Sequence, residues 1–201
     1  MIRVILVDDE RLIRESVKTL LEMEDDIEVV GTAADGAEAL HLARKVKPDV
    51  AVLDLQMPEL DGIEVAEKMI QEKLETRSVI VTSHGLPGVL SSAMKSGVTG
   101  FVPKDVPVST LVEAIRKAAR GVNYVDPTIA AEALQLGDNP LTEREQEMLR
   151  MVLQGATPEQ IAKTLHLAES TVGNHLWRAA GKLSSSNRHE AAHFACSVGW
   201  I

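Results

Sequence analysis

The feature that most constrains the fold is a regular alternation of short β-branched runs with amphipathic stretches over residues 1–121. Short apolar runs predict strands, whereas apolar residues spaced three and four apart predict helices. Their alternation is typical of βαβ units around a parallel sheet. We therefore expect residues 1–121 to form one α/β domain with a parallel sheet. The predicted strands are Ile2–Val7, Ile27–Ala33, Val50–Leu53, Val79–Thr82 and Gly100–Val102.

Amphipathic stretches between and after these strands predict the helices that cover the sheet. Gly121 follows the last of them and predicts its end, since glycine readily takes the conformation that ends a helix. The predicted helices are Arg11–Met23, Ala37–Val46 and Val108–Arg120. For the first helix we expect one inward face that carries Leu12, Val17, Leu20 and Leu21.

After Pro140 the sequence shows no strand pattern. Residue patterns that are typical of helix starts appear instead. Thr142 with Glu145, and Thr157 with Gln160, fit the reciprocal hydrogen-bonding pattern of a capping box. We therefore expect a second, small all-α domain. Its predicted helices are Glu143–Leu153, Pro158–Leu165, Glu169–Leu183 and Asn187–Val198.

The net charge of -9 at first argues against nucleic acid as a partner, because an acidic chain repels phosphates. The charge is unevenly distributed. Residues 1–121 carry 15 Lys and Arg against 21 Asp and Glu, and residues 122–139, which we interpret as a linker with a short helix, carry three acids. Residues 140–201 hold six bases and six acids. The predicted helical domain is therefore neutral, and the acidity lies elsewhere.

Cysteine content and hydropathy restrict the compartment. The single cysteine, Cys196, cannot form an internal disulfide, and its apolar context predicts inert packing. No uncharged apolar run approaches the roughly 18 to 20 residues of a membrane span. The N-terminus does not resemble a signal peptide. We expect a cytoplasmic protein that makes no membrane contact.

Reactive side chains follow four of the five predicted strands. Asp8 and Asp9 follow the first strand, Asp54 the third, Thr82 ends the fourth and Lys104 follows the fifth. The carboxyl ends of parallel strands meet at one edge of a sheet, where ligands bind. Each acid alone is also compatible with a solvated loop, but the five residues together predict a site.

The chemistry of that site follows from its charges. Three adjacent carboxylates repel one another unless a cation neutralises them, and Mg²⁺ prefers oxygen ligands. We predict Asp8 and Asp9 as metal ligands, and Asp54 as both a ligand and a nucleophile toward phosphorus. Lys104 and Thr82 are predicted to bind phosphoryl oxygens.

The strings ILVDDE, VLDLQMPELDG, VTS and GFVPK resemble the receiver domain of bacterial two-component response regulators. The resemblance covers residues 1–121 and implies a flavodoxin-like (βα)5 fold with a doubly wound parallel sheet of strand order 2-1-3-4-5. It implies that Asp54 accepts the phosphoryl group, that Lys104 is the family's lysine, and that the backbone carbonyl of Gln56 is a further metal ligand. Such a domain slowly hydrolyses its own aspartyl phosphate and is not a classical enzyme.

The same resemblance implies a conformational switch. Thr82 would move toward the phosphoryl group, and Phe101 would swing inward to fill the space it leaves. Ordinary core packing is the alternative for Phe101. By the same resemblance, Gln56 and His84 occupy the positions that tune the phosphoryl lifetime.

Residues 141–201 resemble the LuxR-type (NarL/FixJ) helix-turn-helix domain, with its recognition helix at Glu169–Leu183. The sequence departs from the family at Ala168, usually a serine cap, and at Gly173, usually a lysine that contacts DNA. For Trp177 we expect packing against a neighbour rather than stacking on a sugar. The predicted buried stripe is Val172, Leu176, Ala179, Ala180 and Leu183. The predicted DNA contacts are Ser170, Thr171, Gly173, Asn174, Trp177, Arg178, Lys182 and Arg188.

The last predicted helix contains His189-Glu190-Ala191-Ala192-His193, which matches the H-E-x-x-H pattern of zinc proteases. A catalytic zinc site needs three protein ligands, and Cys196 is the one further candidate after His193. We therefore interpret this segment as the last helix of the family, with Ala192 and Ala195 in a dimer seam.

Together these features predict a transcription factor of a two-component system. A cognate sensor histidine kinase would phosphorylate it, and the resulting homodimer would bind promoter DNA, with RNA polymerase as a further partner. The alternative is a phosphorylation-controlled protein-interaction regulator with impaired DNA binding. A phosphatase-type hydrolase is disfavoured, because no general acid or substrate lid is recognisable.

Overall fold

The computed structural model describes residues 1–83 and 87–201 of the chain. The chain divides into two compact units. Of the described residues, the first unit contains 1–83 and 90–131, including the sheet, and the second contains 87–89 and 132–201. None of the described helices is long and apolar enough to cross a membrane.

The first unit is built on a six-stranded parallel sheet with the order β2-β1-β3-β4-β5-β6. The order of the first five strands, implied by the family resemblance, is confirmed. The prediction of five strands is wrong by one, because a two-residue sixth strand pairs with β5 inside the segment that we interpreted as a linker. The strands are β1 (Ile2–Val7), β2 (Ile27–Ala33), β3 (Val50–Asp54), β4 (Arg77–Thr82), β5 (Gly100–Pro103) and β6 (Tyr124–Val125).

Helices follow each of the first five strands. Apolar residues from the strands and from the first and fifth helices form one cluster of the core, among them Val4, Val52 and Ile115. The limits differ from the predicted ones by up to two residues, as is usual for helix ends. The helices are α1 (Arg11–Leu21), α2 (Gly36–Val46), α3 (Gly62–Gln71), α4 (Pro87–Lys95), α5 (Val108–Ala119) and α6 (Pro127–Leu136).

The predicted inward face of α1 is wrong in part. Leu12 is 81% exposed and Leu20 is 40% exposed, whereas Leu21 is fully buried. The helix turns its Val17 and Leu21 side toward the core, and Ile13 continues that row at a spacing of four residues. Leu12 and Leu20 lie about 100° around the helix from this row, so they face away.

The second unit is helical, and its capping boxes at Thr142 and Thr157 are confirmed. Its core joins residues such as Met148, Leu149 and Ile161 to three alanines of the last helix. Ala191, Ala192 and Ala195 are at most 1% exposed. The predicted dimer seam is therefore wrong for Ala192 and Ala195, because the preceding helices of the same unit already cover them. The helices are α7 (Glu143–Leu153), α8 (Pro158–Leu165), α9 (Glu169–Lys182) and α10 (Arg188–Ser197).

Candidate functional site

The acidic residues meet because β1 and β3 are neighbours in the sheet. Val7 pairs with Leu53, so the next residues, Asp8 and Asp54, emerge side by side at the carboxyl edge. The order of the strands reverses here, and this is where open α/β sheets bind ligands. Carboxylate oxygens of Asp8, Asp9 and Asp54 lie within 4.8 Å of one another. The structure thus brings the three predicted carboxylates together.

Lys104 joins this cluster from β5. Its Nζ lies 2.8 Å from Oδ2 of Asp8 and 2.9 Å from Oδ2 of Asp54. The backbone N–H of Lys104 donates to the carbonyl of Thr82 at 2.7 Å, which fixes the start of its loop against β4. A single ammonium therefore bridges two carboxylates that would otherwise repel each other.

The site holds its charges in a partly desolvated setting. Burial raises the pKa of Asp54, and the Lys104 ammonium opposes this effect without cancelling it. Burial would lower the pKa of Lys104, but its hydrogen bonds to Asp8 and Asp54 outweigh that effect, and its pKa is raised. Lys104 is consequently a fixed positive charge beside the predicted nucleophile at neutral pH.

The donor atoms of the cluster suit a hard divalent cation. The described residues contain one group of three or more His, Cys, Asp or Glu that could hold a metal ion, and it is Asp8, Asp9 and Asp54. All of its donors are carboxylate oxygens, the ligands that Mg²⁺ prefers. His189 and His193 do not belong to such a group within the described part of the chain.

The predicted switch residues lie close to this edge. Thr82 ends β4 with 1% of its surface exposed. Phe101 is fully buried on β5, where it pairs with Ile80 of β4. Gln56 is exposed, and its backbone N–H donates to Asp54. His84 lies outside the described residues.

Arg14 is a pocket residue that the sequence analysis missed. It lines the cavity of about 80 Å³ beside Asp54 and Lys104, and its Nη1 donates to the backbone carbonyl of Asp8. Its Nε is buried and has no hydrogen-bond partner among the described residues. The available signal was an arginine between Ile13 and Val17 on the inner side of α1.

Gly62 supports the site from the start of α3, as the family resemblance implies for the Asp61-Gly62 pair after the acceptor. A Cβ at this position would overlap the backbone carbonyl oxygen of Asp54. The backbone N–H of Gly62 also donates to the carbonyl of Leu55 at 3.1 Å. Glycine therefore lets α3 begin directly against the loop that carries Asp54.

The second predicted site is the outer face of α9. Its exposed residues include Ser170, Gly173, Asn174 and Arg178, whereas Thr171 is half-buried. Trp177 is 77% exposed, so the expected packing against a neighbour is wrong. Four of the five residues of the predicted inward stripe are buried, and Leu183 is half-buried. Those four residues are Val172, Leu176, Ala179 and Ala180.

The cations of this unit differ in how they are held. Lys182 Nζ lies 2.6 Å from Oε2 of Glu145, whose side chain is 4% exposed. Burial would raise the pKa of Glu145, but the hydrogen bonds from Lys182 and Thr142 outweigh it and lower that pKa. Arg188 is half-buried, and its Nε is buried without a partner among the described residues. Ala168 provides no side-chain cap to α9.

Comparisons with known proteins match both units. The family model described as "Response regulator receiver domain" matches residues 4–116, and "Bacterial regulatory proteins, luxR family" matches residues 139–195. The chain is 37% identical over its full length to the full-length transcriptional regulatory protein YvfU of Bacillus subtilis.

Solved structures of response regulators are similar to the chain over nearly its whole length. ChrA, a response regulator of a heme-sensing two-component system, is 31% identical with a TM-score of 0.60, covering 100% of this chain and 98% of that one. RcsB, solved as two dimers bound to two parallel DNAs, is 23% identical with a TM-score of 0.71 and 98% coverage of both chains. At this level of identity, the similarity to RcsB shows a shared fold.

Proposed function

The chain belongs to the bacterial response regulators that join a receiver domain to a LuxR-type helical domain, and from this premise we propose that phosphorylation of Asp54 controls promoter binding by its helical domain. The observation that carries the proposal is the convergence of Asp8, Asp9, Asp54 and Lys104 at one sheet edge. The receiver domain implies a sensor histidine kinase as the phosphoryl donor. We keep residues 1–121, 122–139 and 140–201 as the proposed receiver, linker and DNA-binding domain.

Asp54 acts as the nucleophile in this proposal. One of its carboxylate oxygens attacks phosphorus, the bond between phosphorus and the kinase histidine breaks, and an aspartyl phosphate forms. Lys104 leaves its bridging position to bind a phosphoryl oxygen, and the Thr82 hydroxyl donates to another. A Mg²⁺ ion held by Asp8, Asp9, Asp54 and the Gln56 carbonyl would neutralise phosphoryl charge.

The signal then passes through β4 and β5. A phosphoryl group that pairs with Thr82 and Lys104 stabilises the conformation in which those contacts are made, and this shifts the population. Phe101 belongs to the same switch, because it pairs with β4 two residues before Thr82. Slow self-hydrolysis of the aspartyl phosphate resets the domain.

The output is the outer face of α9, used as a homodimer on promoter DNA, with RNA polymerase as a further contact. In a helix-turn-helix the second helix reads the major groove. RcsB, which shares the fold, binds DNA as dimers. The unit has no excess of positive charge, so pairing of two copies is needed to supply affinity. The proposed contacts are Ser170, Thr171, Gly173, Asn174, Trp177, Arg178, Lys182 and Arg188.

Phosphoryl uptake tests the acceptor. With acetyl phosphate and Mg²⁺, wild-type protein is expected to give a retarded band on a phosphate-affinity gel, and Asp54→Asn none. Asp35→Asn is the matched control, because Asp35 follows β2 near the same edge but serves as the cap of α2, a role that asparagine also fills. Unchanged uptake by Asp54→Asn would show that another residue is the acceptor.

A second candidate function is control of a protein partner without DNA binding. It is favoured by the uncapped start of α9 and by the pairing of Lys182 with Glu145. Gel shifts of phosphorylated protein with genomic fragments separate the two functions. Binding that falls steeply with salt supports the transcription factor, whereas no binding at low salt supports the protein-interaction regulator.

A further inference from the structure

Trp177 is the one large apolar side chain that α9 presents to solvent. It is 77% exposed, whereas the other tryptophan of the chain, Trp200, is 7% exposed and part of the core. Burying an aromatic side chain of this size removes about 150 to 250 Å² from water. A partner that covers the indole of Trp177 would therefore gain a large hydrophobic contribution to its binding free energy.

Glycines flank this indole on both sides. Gly173 and Gly181 lie one helical turn before and after Trp177, so they share its side of α9. A Cβ at either position would meet no atom within 4 Å. Packing within the unit therefore does not require glycine at either site. Their effect is to leave the indole clear beside an open groove of about 480 Å³.

The charges around the indole are few. On the exposed side of α9, Arg178 has no ion pair among the described residues, whereas the charge of Lys182 is balanced by the buried Glu145. Phosphate contacts supply most of the non-specific affinity of DNA-binding proteins. A helix with so little free positive charge must obtain a larger share of its affinity from the bases.

The major groove offers one apolar group for an indole to cover. Thymine presents its C5 methyl there, whereas the other base edges present hydrogen-bond donors and acceptors. Asn174, exposed three residues before Trp177, carries the amide that pairs with both N6 and N7 of adenine. The two side chains thus complement adjacent A·T pairs.

Resting on the proposed DNA binding, we propose that Trp177 is a specificity residue that reads thymine through its C5 methyl, with Asn174 on a neighbouring adenine. Gly173 and Gly181 allow the duplex to approach the helix closely enough for this contact. The recognition surface is therefore apolar at its centre.

The experiment removes the methyl and nothing else. Sites are first selected from a random duplex library with full-length, phosphorylated protein. Each thymine of the best site is then replaced by deoxyuridine, and affinity is measured by fluorescence anisotropy. Loss of one contacted methyl is expected to weaken wild-type binding about fourfold, as expected for about 0.8 kcal/mol of buried CH₂. Trp177→Ala is expected to bind thymine and deoxyuridine sites equally.

Arg178→Ala is the matched control on the same face. It is expected to weaken binding to all sequences and to reduce the salt slope by about one, while keeping the deoxyuridine effect. Buried Trp200 reports by fluorescence that each variant is folded.

Three outcomes would overturn the inference. Equal wild-type affinity for thymine and deoxyuridine sites would do so while DNA binding stands, as would an unchanged ratio in Trp177→Ala. Loss of dimerisation in DNA-free Trp177→Ala, seen by sedimentation, would assign the indole to a second copy of the chain. Failure to select any sequence would instead reject the proposed DNA binding itself.

Discussion

The pocket at the sheet edge and the outer face of α9 present their functional groups in opposite ways. In the pocket, Lys104 is paired with Asp8 and Asp54, and strands of one sheet position all three. On α9, Asn174, Trp177 and Arg178 point into solvent. The pocket is a structure that the chain completes by itself, because its members meet through strand order. The side chains on the helix face are exposed, so they are available to a binding partner.

The largest predicted effect compares two ion-paired lysines. Lys104→Ala is expected to slow phosphoryl uptake from acetyl phosphate about 10²- to 10³-fold, the usual effect of removing one group that stabilises developing charge. Lys182→Ala is expected to leave uptake unchanged and to lower the free energy of unfolding of the helical unit by about 1 to 3 kcal/mol, because the buried Glu145 carboxylate loses its ion-pair partner and keeps only the hydrogen bonds from Thr142. Equal uptake rates for both variants would show that Lys104 does not stabilise the transferred phosphoryl group.

The next largest predicted effect is a difference in stability between two glycine-to-alanine substitutions. Gly62→Ala places a Cβ against the Asp54 carbonyl, so it is expected to destabilise the receiver by about 1 to 3 kcal/mol and to slow uptake. Gly173→Ala meets no atom within 4 Å and is expected to stabilise the helical unit by about 1 kcal/mol. Thermal unfolding followed by circular dichroism measures both. If Gly173→Ala lowered the stability of the helical unit instead, contacts within the unit would require glycine at this position.

A missing cap gives a third, smaller effect. Ala168 already has the extended backbone of a cap residue, so Ala168→Ser is expected to stabilise α9 by about 0.5 to 2 kcal/mol. The reciprocal control is Asn187→Ala, which removes the existing cap of α10 and is expected to cost a similar amount. Tryptophan fluorescence during urea unfolding measures both. No gain from serine would mean that another group already satisfies the start of α9.

The smallest predicted effect concerns pH. The pKa of Glu145 in the folded unit is lower than its ordinary value of 4.5, so the folded state favours the carboxylate. Its contribution to stability is therefore complete above about pH 4.5 and is lost as the pH falls through the folded pKa. Glu145→Gln is expected to flatten the melting temperature of the helical unit across this range. An equally steep fall in the variant would assign the acid sensitivity to other carboxylates.

The sequence predicts which residues meet at the sheet edge better than it predicts which side chains on the helices are exposed, and the reasons are physical. Asp8 and Asp54 could be placed together because parallel strands end at one edge, whichever side chains surround them. The bridging position of Lys104 and the contact of Arg14 with the Asp8 carbonyl depend on rotamers, which a pattern does not specify. The sixth strand, Tyr124–Val125, is too short to show a period.

Burial on helices was the weaker part of the prediction. Leu12 and Leu20 of α1 fit a helical spacing but lie off the buried row. A dimer seam is predicted for Ala192 and Ala195, but small side chains also allow helices to pack closely within one core, which is where both residues lie. Packing is predicted for Trp177, but the residues four positions away on either side are glycines, which cannot cover it.

We propose that phosphorylation of the pocket at the sheet edge controls DNA binding by the outer face of α9. The direct test measures, by fluorescence anisotropy, the affinity of the full chain for a selected duplex with and without acetyl phosphate and Mg²⁺, in wild type and in Asp54→Asn. We expect phosphorylated wild type to bind about tenfold more tightly or better, which corresponds to about 1.4 kcal/mol, and Asp54→Asn to show no response. Equal affinities in all four conditions, or an equal response in both proteins, would contradict it.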